Sequence, residues 1–191
     1  MRSFQKCLLL FLFLVVACVV LSGCGSTVMM NSSRISSPET GYALVTFLRP
    51  SAIGGAIKFS IWDSGKFVGV LTRKSYIQYQ AQPGEHVFIA RAENWSFVKA
   101  NLEPGKKYYI IGRVVPGVWK ARVALDPIGK GDAKISDEQI DKWLQKLDPI
   151  APDPAKADSF VRPRLSQIQI ALNDYKEKKV SYFTLEKEDY R

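Results

Sequence analysis

Residues 42–126 read as eight short apolar runs broken by turn residues, and no other feature limits the fold of this chain as strongly. Ile57, Phe59 and Ile61 alternate with Lys58 and Ser60, the two-residue period of a strand with one face in a core. Three Pro-Gly pairs (residues 83–84, 104–105 and 116–117) suit turns in which Pro presets φ and Gly supplies the positive φ that follows. Asp63, Ser64, Gly65 and Lys66 form a hairpin-type break. The pattern predicts strands near 42–49, 57–62, 67–72, 76–81, 87–92, 95–102, 108–115 and 118–125. The expected fold is mainly β: an antiparallel seven- to eight-stranded sandwich of immunoglobulin-like build, followed by two C-terminal helices.

The helices come from residues 127–191, expected to pack on the sandwich as a helical extension. Ser136 and Gln139 form a capping box, and Ile140, Trp143, Leu144 and Leu147 follow at helical spacing. Pro149, Pro152 and Pro154 predict a stiff extended connector. A second helix is predicted from about 159–163 to 178, with Val161, Leu165, Ile168, Leu172 and Tyr175 in one stripe. Both stripes are expected to cover a face or an open edge of the sandwich; the alternative is a scaffold subunit that docks a partner through the second. Residues 181–191 carry mixed charge and are expected to fray.

At the other end, Arg2 and Lys6 precede an apolar run over residues 7–21, and Leu21, Ser22 and Gly23 lead into Cys24. The run is shorter than the roughly 20 residues a spanning helix needs, and suits a signal sequence. This stretch resembles the bacterial lipoprotein box. The resemblance implies a signal peptide over residues 1–23, signal-peptidase recognition of Leu21, Ser22 and Gly23, and a lipid on Cys24. It also implies an envelope location: Gly25 stands where an Asp often retains lipoproteins at the inner membrane, so an outer-membrane anchor facing the periplasm or the surface is expected. Two or three acyl chains on one residue make a stable anchor, where one binds only marginally. Residues 24–41, rich in Ser, Thr and Asn, read as a flexible tether with a span on the order of 20–25 Å. Cys7, Cys18 and Cys24 are the chain's three cysteines, so the mature body would hold neither a disulfide nor a free thiol.

Charge is segregated. The chain has 27 Lys and Arg against 18 Asp and Glu, and within residues 42–126 the balance is twelve to five, whereas residues 127–191 hold twelve of each. A basic surface in the envelope is drawn to acidic polymers or lipid, while nucleic acid is not an expected partner of a lipoprotein. A protein partner is the other possibility. Residues 47–52 (Phe-Leu-Arg-Pro-Ser-Ala), Gly65, Lys66 and Gly69, residues 82–86 (Gln-Pro-Gly-Glu-His) and residues 105–110 (Gly-Lys-Lys-Tyr-Tyr-Ile) are together similar to uncharacterised bacterial lipoproteins with a small PEGA-like β-sandwich. That resemblance spans residues 42–115, implies fold and envelope location, and carries no catalytic residues.

No nucleophile elbow, phosphate loop or metal-spaced His or Cys motif appears, so no catalytic residue, metal ligand or cofactor is expected. His86, the single histidine, sits at a strand end and reads as structural, and Asp63, Glu85, Glu93 and Glu103 fall at turns. The candidate partner surface is Lys58, Trp62, Lys120 and Arg122, with Trp62 on the outer face of its strand. Cover for Trp62 by the C-terminal helices is the competing expectation. The protein therefore reads as a non-enzymatic, lipid-anchored binding or adaptor module, with a scaffold subunit and an envelope hydrolase as the alternatives.

Overall fold

The computed structural model describes residues 28–115 and 122–191. Leu21, Ser22, Gly23, Cys24 and Lys120 lie outside the described residues. The predicted strands form as β2 (Ala43–Arg49), β3 (Phe59–Asp63), β4 (Lys66–Leu71), β5 (Ser75–Ala81), β6 (Gly84–Arg91), β7 (Trp95–Leu102), β8 (Lys107–Val115) and β9 (Arg122–Pro127); the 116–117 turn and the expected start of the last strand at 118–121 lie outside the described residues. Three more come from segments without strand patterning: β1 (Met29–Asn31), β10 (Asp148–Pro152) and β11 (Phe183–Leu185).

These make two packed sheets, a six-stranded one in the order β1-β10-β5-β2-β8-β9 and a five-stranded one in the order β11-β7-β6-β3-β4. The fold is thus mainly β, but it is not a simple antiparallel seven- or eight-stranded sandwich. Three pairs are parallel: β2 with β8, β10 with β5, and β11 with β7. Parallel neighbours need a long crossover. The chain between β2 and β8 supplies one by building most of the second sheet on the way. Phe47, Phe59, Ile61, Phe88, Tyr108 and Ile110 are among the side chains that fill the space between the sheets.

Helices cover the outer face of each sheet. Helix α1 (Asp137–Lys146) starts where the capping box predicts, with Ser136 accepting from the Gln139 amide at 3.2 Å. Its Ile140 and Leu144 close over Leu48, Tyr76, Tyr109 and Ile111 of the first sheet. The second helical arm is bent at Pro163 into α2 (Pro154–Val161), a 3-10 turn (Arg162–Arg164) and α3 (Leu165–Lys176). Its Ile168, Ala171 and Leu172 cover Trp62, Ile89 and Phe97 of the second sheet. The arm begins earlier than predicted because Asp153 caps it, accepting from the Ala155 amide at 3.0 Å, and Pro154 occupies the first turn. The expected connector is β10, with Pro149 and Pro152 inside a strand.

Two further expectations are overturned. Most of the 24–41 tether is not free: β1 pairs with β10, Ile35 exchanges two hydrogen bonds with the Gln78 amide (2.6 and 2.8 Å), and the Glu39 amide donates to Gln80 Oε1 at 3.2 Å. The tail is also held. Leu185 is buried in the core, the Tyr108 hydroxyl donates to the Lys187 carbonyl at 2.9 Å, and Arg191 pairs with Asp137 at 2.7 Å.

Candidate functional site

The strand register defines two ends. The lower end carries the turns at 64–65, 82–83 and 103–106; the upper end carries the loop at 50–58, the turns at 72–74 and 92–94, and the start of β9. Polar chemistry collects at both ends, in different forms.

At the lower end, β3 ends on Asp63; pairing with β6 brings His86 to it, and the packing of the first sheet on the second brings Tyr79 of β5. His86 Nδ1 lies 2.9 Å from both Asp63 carboxylate oxygens, Nε2 lies 2.7 Å from the Gln82 carbonyl, and the Tyr79 hydroxyl donates to Asp63 Oδ2 at 2.9 Å. Both ring nitrogens therefore face acceptors, which only the doubly protonated ring satisfies. Burial alone would lower the His86 pKa, but the Asp63 hydrogen bond and charge, with the Gln82 carbonyl, outweigh it and raise it. Tyr79 is raised by burial first and by Asp63 second. The Asp63 carboxylate thus ties β3, β6 and the 82–83 turn to Tyr79 on the opposite sheet. Sequence reading placed His86 near a strand start and missed its partners. Asp63 stands 23 positions before it and only the β3-β6 pairing joins them. Among the described residues, no three His, Cys, Asp or Glu side chains converge as metal ligands.

The upper end is cationic. Lys58, Arg73, Lys74 and Arg122 are exposed there, and Arg91 and Arg164 lie at the junction of the second sheet with α3. Arg91 closes β6 opposite Trp95 and Ser60 in the register, with its guanidinium 5.2 Å above the Trp95 ring and hydrogen-bonded to the Gln167 amide oxygen. Arg164 lies 3.8 Å over Phe160 and donates to the Phe160 carbonyl at 2.7 Å. Burial lowers the Arg91 pKa and the nearby Arg164 charge lowers it further. Neither guanidinium reaches a carboxylate among the described residues. Two cations held beside each other on neutral oxygens and aromatic rings leave planar donor forks for an oxyanion.

The predicted partner surface divides here. Trp62 is not on it: it is 0% exposed, beneath α2 and α3, and its indole donates to Ser60 Oγ at 2.9 Å. The helix stripe needed an apolar partner, and the Trp62 face supplies it. Lys58, in the loop before β3, and Arg122, at the start of β9, are both exposed at the same end. Arg91 and Arg164 were missed, because nothing in the sequence links a strand end to a helix start 73 positions on.

Arg49 shapes the same end from within. It is 1% exposed, and donates to the carbonyls of Ile57 (2.5 Å) and Gly54 (2.9 Å) over the Phe59 ring, so the 50–57 loop is wrapped around a buried charge. Gly54 has φ +64 and a Cβ there would lie 2.6 Å from Val114, so only glycine lets the loop approach β8. The loop displays Ile53, 65% exposed, beside β8, whose Val115 is also exposed.

No known protein-family profile matches the chain. It is similar to an uncharacterised protein of Haemophilus influenzae, 26% identical over 136 residues that cover 68% of this chain and 77% of the relative.

Proposed function

We propose that this protein is a non-enzymatic component of the bacterial cell envelope, anchored by lipid on Cys24 at the outer membrane, whose β-sandwich binds an acidic envelope polymer through its cationic upper end. One observation carries the binding part: Arg91 and Arg164 stand together, with no carboxylate partner among the described residues, on the seam between sheet and helix. The lipoprotein box at Leu21–Cys24 carries the anchor, and the resemblance to PEGA-like lipoproteins agrees with it. A hydrolase reading finds no support in His86, whose two nitrogens are both engaged. For the scaffold alternative, Ile168 and Leu172 of the helix stripe lie against the protein's own second sheet, while Leu165 stays 47% exposed, so only that part of the stripe remains open to a partner.

Two measurements test the proposal. Cys24→Ser should abolish palmitate incorporation and release the protein from the membrane fraction; retention with unchanged processing sinks the anchor. The released Cys24→Ser protein should bind polyphosphate with an affinity that falls as salt rises. The Arg91→Gln/Arg164→Gln pair should lose that binding while keeping the wild-type melting temperature. Unchanged binding in the double variant refutes the site.

A further inference from the structure

The described chain starts at the lower end and runs upward. β1 is antiparallel to β10, the Val28 carbonyl accepts from the Asp153 amide at 2.8 Å, and Met29 is buried with its sulfur accepting from the Val70 amide at 3.1 Å. Cys24 stands four residues before Val28. A polypeptide spans at most about 3.6 Å per residue, so the two lie within about 14 Å of each other on any path. A free tether over residues 24–41 would have let the body swivel well clear of the membrane; with residues 28–41 bound to the sandwich, that freedom is gone.

We propose that the lower end is seated on the lipid headgroups of the bilayer that holds Cys24, with the cationic upper end directed away from it. This rests on the acylation of Cys24 proposed above and adds the orientation. The contact surface comprises the 64–65 and 82–83 turns and the first turn of α2, around Ala155. Charge fits this placement. At the lower end Lys156 pairs with Asp153 at 2.9 Å and Lys99 with Glu85 at 3.2 Å, while Lys66, exposed beside the 64–65 turn and over the Tyr79 ring, adds a cation for lipid phosphate. Arg91 and Arg164, without a carboxylate partner among the described residues, are at the other end. Strands of seven to nine residues rise about 3.3 Å per residue, which holds Ile53 about 25 Å farther from the bilayer than Ala155. The acidic partner is therefore met above the membrane, and the headgroups of the anchoring leaflet are out of reach of Arg91 and Arg164.

The experiment uses the processed full-length lipoprotein in phosphatidylcholine vesicles containing a headgroup-nitroxide lipid. The cysteines of the chain are Cys7, Cys18 and Cys24, so Ala155→Cys and Ile53→Cys each give one labelling site once the signal is removed and Cys24 is acylated. A fluorophore at 155 should be strongly quenched, and one at 53 should match nitroxide-free vesicles. Inserting a long Gly-Ser segment before Val28 should erase the difference. Palmitate in the protein with equal quenching at both positions overturns the orientation and leaves the anchor standing. Absence of palmitate removes the anchor and the orientation together.

Discussion

Arg49 carries a charge inside the protein and meets it with carbonyl dipoles in place of a carboxylate. Removing a buried donor leaves its acceptors unsatisfied at about 1–3 kcal/mol, and truncating a large buried side chain adds a cavity cost. Arg49→Ala should therefore lower stability by about 3–5 kcal/mol in urea unfolding and loosen the 50–57 loop to proteolysis. His86 makes a prediction of opposite character. Its folded-state pKa is raised, so the folded protein holds a proton that the unfolded chain releases above about pH 6.5. The stabilisation is complete below that pH and is lost as pH rises through the folded pKa. The melting temperature should fall across this window, and His86→Asn should flatten the slope; a wild-type profile without that fall would show that the imidazolium does not hold the Asp63 cluster together.

At the scale of elements, the open edge of β9 is closed by side chains and not by a strand. Val123 donates to Asn94 Oδ1 at 2.7 Å and accepts from Asn94 Nδ2 at 2.9 Å, while the Leu125 amide donates to Ser96 Oγ at 3.0 Å. Asn94 thus imitates a backbone peptide and joins the two sheets along one seam. Exposed strand edges invite pairing with other chains, and this edge is satisfied from within. Asn94→Ala should cost about 1–3 kcal/mol and increase self-association at high concentration, read by light scattering. Asn94→Asp keeps one acceptor for the Val123 amide but leaves its carbonyl without a donor, so it should recover part of the stability. On the opposite seam, Met29 does a related job for β4 through its sulfur and the Val70 amide.

Across the whole molecule, helix, sheet, sheet and helix are stacked in layers, and both terminal regions are stitched onto the edges. β1 and β11 are short edge strands with long-range pairing, yet Met29 and Leu185 are buried. Amide exchange should show protection at residues 29–31, at the Ile35 amide held by Gln78, and at residues 183–185, well above that of an exposed tail. Fast exchange over 28–35 would restore the free tether and remove the geometric ground for a membrane-seated lower end.

The eight strands of residues 42–126, the Ser136 cap and the apolar stripes of the helices are written in local chemistry. Alternation, Pro-Gly turns and capping residues act over a few positions, so they are legible without a fold. The lipoprotein box is local in the same sense. What only the tertiary structure decided depends on partners far along the chain. Trp62 is covered because α3 returns to it, the His86 pKa is raised because β3 delivers Asp63, and Arg91 meets Arg164 where a sheet ends against a helix. The segments around Met29, Ile150 and Leu185 have little strand patterning of their own and become strands because sheet edges with unpaired amides and carbonyls stand ready to receive them. That pairing energy belongs to the assembled sheets, and no window of the sequence contains it.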